Sequence, residues 1–220
     1  MPATVRIVLL DVNGTLTDPA PIGAPWGRPD LGVRALDGAV RTGMVDALLG
    51  RGDRPFSDHL RASIEVLARD AELDPDGVEA AVEAAAALPA RPGAAEALRR
   101  LKDAGVRAVA LTNSGARAGS ATLEGCGLSP YVEQVLGVDA THSFKPDPRV
   151  YAYALGELAT RPDEITLIAT HPWDLAGAAH AGLGTAWVTH GARGWPAVFP
   201  APDVRGDTLV EVVTQLVGSG

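Results

Sequence analysis

The chain has 220 residues, 46% of them hydrophobic and 21% charged, with a formal net charge of −8. That is enough apolar material for one large domain, or for a core domain with a smaller insertion. An acidic balance without charge blocks excludes the basic footprint that nucleic acid requires and offers no attraction to anionic membranes, although a small anionic substrate stays possible where local cations gather.

In chain order, Val5 to Leu10 is an apolar run that reads as a strand buried on both faces, ending at Asp11 and followed by Asn13, Gly14 and Thr15. Thr17 to Pro29 holds four prolines and two glycines, which excludes a continuous helix or a central strand. Helical spacing follows over Leu31 to Leu49 and, more strongly, over Phe56 to Leu73. Asp74-Pro75 is expected to cap a third helix running through Leu88, with an alanine face suited to close packing. Residues 17 to 90 therefore read as an all-helical insertion.

After Pro92-Gly93, strands and helices alternate, as in right-handed βαβ units on a parallel sheet. The expected elements are a helix over Ala94 to Ala104, a strand over Arg107 to Leu111, a helix over Ser114 to Gly125 and a strand over Glu133 to Val138. A helix over Asp147 to Ala159, a strand over Ile165 to Ala169, a helix over Leu175 to Ala181 and a strand over Thr185 to Val188 come next. A short strand at Val204 and a helix capped by Asp207 close the chain. The single cysteine, Cys126, permits no intrachain disulfide and reads as a buried structural thiol. No basic-plus-apolar leader or membrane-length apolar run is present, so the expected location is the cytoplasm.

Four strand ends carry polar groups: Asp11; Thr112-Asn113-Ser114; Lys145 after the Val135-Leu136 strand; and Thr170-His171-Pro-Trp173-Asp174. In a doubly wound sheet such ends meet in one crevice. On its own, Asp11 reads equally as a turn cap or as a reactive group. With an ammonium beside it the carboxylate stays ionised, which is its nucleophilic form.

Asp11-x-x-Gly14-Thr15, Thr112-Asn113, Lys145-Pro-Asp-Pro and the segment at Asp174 resemble, in order, the four motifs of the haloacid dehalogenase superfamily. The resemblance implies an α/β fold: a Rossmann-like core of residues 1–16 and 91–220 around a doubly wound parallel sheet, with a helical cap at 17–90. Phosphatases of the superfamily keep a second aspartate where this chain has Asn13 and an acidic pair where it has Thr170 and Asp174. Asn13 cannot move a proton, and one remaining carboxylate makes a poor magnesium site. Lys145-Pro-Asp-Pro-Arg-Val-Tyr151 and His171-Pro-Trp-Asp174 are similar to the 2-haloacid dehalogenase branch, which uses no metal or other cofactor.

That resemblance implies Asp11 as nucleophile, Lys145 as its charge partner and Thr15 as the group orienting it. Asp174 would hold Lys145 or the hydrolytic water. Thr112, Asn113, Asn13, Tyr151 and His171 would bind the substrate, a small 2-halo carboxylate. A cap arginine would receive the halide, with Arg41 the best match and Arg34 or Arg28 the substitutes. Family members often form homodimers, so a homodimer is an option. Two rival functions stay open: a magnesium-dependent phosphatase of small metabolites, and a ligand-binding domain without catalysis.

Several residues have plainer readings. His171 is read equally as a half-buried ring bonded to backbone or as a catalytic contact. Trp173 and Trp187 are expected to be core aromatics, and Trp26 is open between pocket lining and packing. His142, His180 and His190 lack metal-ligand spacing.

Overall fold

The computed structural model describes residues 5–192 and 194–218. The outermost residues of the expected core, 1–4 and 219–220, lie outside them. Six parallel strands form one sheet: β1 (Ile7–Leu10), β2 (Arg107–Thr112), β3 (Gln134–Gly137), β4 (Ile165–Ala169), β5 (Gly184–Val188) and β6 (Val204–Gly206), in the order β3-β2-β1-β4-β5-β6. β1 is flanked by β2 and β4, with Leu10 opposite Ala110 and Ile168, and all four of its residues are buried. A strand hydrogen-bonded on both edges and covered on both faces requires an unbroken apolar run, and Ile7-Val-Leu-Leu10 is one.

Among the described residues, eight α-helices accompany the sheet: α1 (Asp30–Leu48), α2 (Phe56–Asp70), α3 (Gly77–Ala86), α4 (Ala94–Asp103), α5 (Ala116–Gly125), α6 (Pro148–Leu158), α7 (Pro172–His180) and α8 (Leu209–Val217). The period-2 alternation of the strands sorts them into two layers. Val8 and Leu10 pack with Ala97, Leu98 and Leu101 of α4, Leu123 of α5, and Val212 and Val213 of α8. Ile7 and Leu9 join the opposite cluster, with Ala154 and Leu158 of α6 and Leu175 and Ala178 of α7. That second cluster continues into Leu36, Val40, Phe56 and Ile64 of α1 and α2, so the helical excursion is packed onto one side of the sheet.

The excursion leaves and returns at one place. Thr17 bridges Ala90, the Asp18 amide donates to Pro89 O at 2.9 Å, and the Arg91 amide donates to Leu16 O at 2.8 Å. The proline-rich entry forms no long element, only a 3-10 helix over Ala20–Trp26 closed by Gly27.

Some boundaries move for local reasons. Asp74 accepts from the Asp76 amide at 3.0 Å in a turn, so α3 begins two residues after Pro75 and stops short of Leu88. The last helix is capped by Thr208, whose hydroxyl accepts from the Glu211 amide at 3.2 Å, whereas Asp207 accepts from Thr189 instead. α7 starts at Pro172 rather than Leu175, because proline suits the first helical turn. Among the described residues, no helix is long and apolar enough to cross a membrane.

Candidate active site

The strand order reverses between β1 and β4, and ligands of such sheets lie outside the carboxyl ends at that switch point. Asp11 sits there, its amide donating to Ile168 O at 3.1 Å. Gly14 turns the chain immediately afterwards with φ of 88°, and an added Cβ would lie 3.0 Å from His171 Nε2, so conformation and space both call for glycine. This turn brings Thr15 back, and its hydroxyl donates to Asp11 Oδ2 at 2.6 Å while accepting from the Thr170 amide at 3.0 Å.

Lys145 reaches Asp11 from the loop between β3 and α6. Its backbone amide donates to Asn113 Oδ1 at 2.8 Å, which fixes the loop against the end of β2. Asp147 caps α6 just beyond by accepting from the Arg149 amide at 2.9 Å. The fully buried ammonium uses all three donors: Asp11 Oδ1 at 2.8 Å, Asp174 Oδ2 at 2.6 Å and Leu111 O at 2.9 Å. Asp174 lies in the first turn of α7, where the helix dipole favours an anion, and its Oδ1 accepts from the Tyr151 hydroxyl at 2.7 Å. Gly177 admits that ring, since a Cβ there would stand 2.5 Å from Tyr151 Oη.

The shared ammonium does not serve both carboxylates equally. Burial pushes Asp11 up, but the charges of Lys145 and His171 and the hydrogen bonds from Lys145 and Thr15 outweigh it and hold the carboxyl below its usual range. Burial also pushes Asp174 up, and there the adjacent Asp11 charge adds to it, leaving the carboxyl raised despite Lys145. Burial alone would lower Lys145, yet the two carboxylates keep its ammonium protonated with a raised pKa. Burial and Asp174 together hold Tyr151 well above the ordinary phenol value, so it remains a donor. Tyr151→Phe should leave Asp174 Oδ1 without its hydrogen-bond donor and cost about 1–3 kcal/mol in urea unfolding.

A small cavity of about 20 Å³ lies over Asp11, enough for about one water. Asn13, Thr112, Asn113, His171 and Trp173 line its core side, and Leu36, Val40 and Phe56 of α1 and α2 close it. His171 is partly buried and bonded to backbone, with Nε2 3.1 Å from Asn13 O, and the same nitrogen lies 3.5 Å from Asp11 Oδ2. Thr112 lies at the wall, but its hydroxyl accepts from the Ser114 amide at 3.1 Å and so also holds the turn.

The arginine expectation is corrected. Arg41 is exposed and lines a groove between α1 and α2 with Arg34, and Arg28 pairs with Asp30 at the surface. Leu36 and Val40 face the cavity, so Arg41 falls on the other side of α1. Trp173 packs at the edge of the core, and it also lines the cavity and stacks on His171 with ring centroids 5.2 Å apart. Trp187 is core, as expected, and Trp26 packs at α3, its indole donating to Asp74 O at 2.9 Å. Cys126 is only half-buried.

Sequence reasoning missed Arg91, whose Nε donates to Gly14 O at 2.9 Å and steadies the turn after Asp11. A lone arginine at a proline-rich junction carries no motif, and only the fold brings it there. Beside it, His190 stands with Nε2 3.3 Å from Thr15 O. Burial, then Arg91, holds this imidazole down to about 4, against an ordinary 6.5. The neutral ring therefore contributes stability that is whole above pH 6.5 and is lost as pH falls toward 4. Unfolding followed across that window should show a loss of about 1–2 kcal/mol, discounted for the ring's partial exposure, that His190→Gln removes.

Among the described residues, no three His, Cys, Asp or Glu side chains converge as a metal site. The donor set also fits magnesium poorly. Both carboxylates are already ion-paired to Lys145, and the Thr170 and Asn13 positions add no carboxylate.

A family description, haloacid dehalogenase-like hydrolase, matches residues 5–182. The chain belongs to the haloacid dehalogenase-like hydrolase family. Within it, the chain is 36% identical over 98 residues to (S)-2-haloacid dehalogenase 4A of Burkholderia cepacia, an alignment covering 44% of this chain and 42% of that protein. The chain thus spans under half the length of that dehalogenase relative. It is also 30% identical over 215 residues to a phosphoglycolate phosphatase of Caulobacter vibrioides, covering 93% of this chain and 88% of that one. The L-2-haloacid dehalogenase structure from Xanthobacter autotrophicus shares the fold, with a TM-score of 0.87 at 21% identity, covering 98% of this chain and 100% of that one.

Proposed function

We propose that this family member hydrolyses a small 2-halo carboxylate through an ester on Asp11, with no metal taking part. The observation that carries the reading is the pairing of one buried ammonium with Asp11 and Asp174, beside an amide side chain at Asn13 where proton transfer would need an acid. Lys145 keeps Asp11 ionised and therefore nucleophilic. Thr15 holds Oδ2 in place. An oxygen of Asp11 attacks the carbon bearing the halogen, the C–X bond breaks with its electron pair on the halide, and water then cleaves the ester. Asn113, whose Oδ1 is already used by Lys145, offers its amide nitrogen to the substrate carboxylate, and Asn13 lines the same wall. Residues 17–90 act as a cap: Leu36, Val40 and Phe56 must shift to admit any ligand larger than a water.

A second reading, a phosphatase of a small phosphorylated metabolite, is favoured by the near full-length match to a phosphoglycolate phosphatase. One panel separates the two. Halide release from chloroacetate and 2-chloropropionate, unchanged by EDTA, is the expected result. Magnesium-dependent release of phosphate from p-nitrophenyl phosphate, with no halide from any short 2-haloacid, would replace the first reading with the second.

A further inference from the structure

We infer that His171 is the acid of the ester-cleavage step, delivering a proton to Oδ2 of Asp11 as the product leaves; this rests on the ester route proposed above. The two oxygens of Asp11 have different surroundings. Oδ1 is turned to the buried ammonium at 2.8 Å, whereas Oδ2 lies 3.5 Å from Nε2 of His171, a ring on the cavity wall. Oδ2 is therefore the oxygen presented to an incoming carbon, and it becomes the bridging oxygen of the ester. Oδ1 becomes the carbonyl oxygen, polarised by Lys145.

The hydrogen on Nε2 follows from its neighbours. Nε2 faces Asn13 O at 3.1 Å and Asp11 Oδ2, both acceptors, so that nitrogen carries hydrogen. The ring is badly placed to receive the halide. In an in-line displacement the halide departs on the side of the carbon opposite Oδ2, whereas Nε2 sits beside Oδ2 itself. An alkoxide is a poor leaving group, so an acid at that oxygen speeds the step; Asn13 cannot supply the proton, and the Thr15 hydroxyl that donates to Oδ2 at 2.6 Å is too weak an acid to do so.

The step balances as follows. Water adds to Cγ of Asp11 and the C=O electron pair moves onto Oδ1. The pair returns as the Cγ–Oδ2 bond breaks, and Oδ2 takes the Nε2 proton of the ring, which the step requires as the imidazolium, to leave as the hydroxyl of a 2-hydroxy acid. Of the two water protons, one restores the imidazolium and the other passes to solvent, leaving Asp11 as carboxylate. A groove of about 550 Å³ on the far side of His171, lined by Arg91, Thr170, Trp187 and His190, gives the ring a route to water. The charged and titratable groups around the ring are Asp11 and Lys145 across the site, Asp174 on its own helix, and Arg91, Asp18, Asp37 and His190 on the groove side.

The test compares wild type with His171→Asn and His171→Gln on 2-chloropropionate, by rapid-quench halide release and intact protein mass. The variants should give a stoichiometric halide burst, then turn over about 100-fold or more slowly, with a covalent adduct accumulating on Asp11. Variants that turn over at the wild-type rate would overturn the inference. So would variants that lose burst and turnover together without adduct, since the ring would then only support the nucleophile's loop. If wild type neither releases halide nor forms an adduct with any short 2-haloacid, the ester route itself falls and takes this step with it.

Discussion

Lys145→Met should cost about 3–5 kcal/mol of stability at pH 7 and lower halide release by about 100- to 1000-fold. Methionine fills a comparable volume but removes the charge that Asp11 Oδ1 and Asp174 Oδ2 share at 2.8 and 2.6 Å. Two buried carboxylates without a cation cannot both stay ionised, so one takes a proton and Asp11 loses its nucleophilic form for much of the time. The pH dependence has a definite sign. In the wild type the lowered Asp11 contributes stability that is whole above its ordinary 3.8 and is lost as pH falls below that, through its lowered folded value. The raised Lys145 contributes stability below 10.5, lost as pH rises through its folded value. The variant's deficit should therefore be largest near neutrality and shrink as acid protonates the pair. Urea unfolding at pH 7 and at pH 4 measures this, and equal stability of the two proteins at pH 7 would contradict it.

Asp11→Asn should abolish turnover, by about 10⁴-fold or more, while changing stability by no more than about 1 kcal/mol. The amide keeps an oxygen for Lys145 Nζ, and Thr15 has lone pairs with which to meet the new amide nitrogen. Removing one negative charge also relieves Asp174, whose carboxyl the Asp11 charge pushes up. Lys145 and Asp174 are left as a one-to-one buried pair. The two substitutions therefore separate chemistry from structure at the same ion pair. Halide assays and thermal unfolding on both variants should show activity lost in each and stability lost only in Lys145→Met. A Tm loss of similar size in Asp11→Asn would mean that the Asp11 charge is itself structural.

Much of this was legible from local pattern. The run Ile7-Val-Leu-Leu10 ending at Asp11 named a central strand and the carboxylate at its end, because only a doubly covered strand requires such a run. Strand-helix alternation after Gly93 and the spacing of Thr112-Asn113, Lys145 and Asp174 identified the groups that share the crevice, since strand ends in a doubly wound sheet converge by topology. Boundaries were less legible where two caps compete, as Asp74 with Asp76 and Asp207 with Thr208.

What the sequence by itself determined was the parallel α/β core, the helical excursion and the chemical makeup of the site, all of which follow from apolar periodicity and from residue type at strand ends. What only the tertiary structure decided was the facing of side chains whose position depends on packing between distant segments. The rotation of α1 against the sheet turns Leu36 and Val40 to the cavity and Arg41 away from it. The return of the chain at Leu16 and Arg91 brings a guanidinium to the carbonyl of Gly14. The seating of α7 at Pro172 sets Nε2 of His171 beside Asp11 Oδ2, and stacks Trp173 behind it. Helical periodicity specifies that a face is buried, but which partner it meets, and at what angle, is decided only when the layers pack.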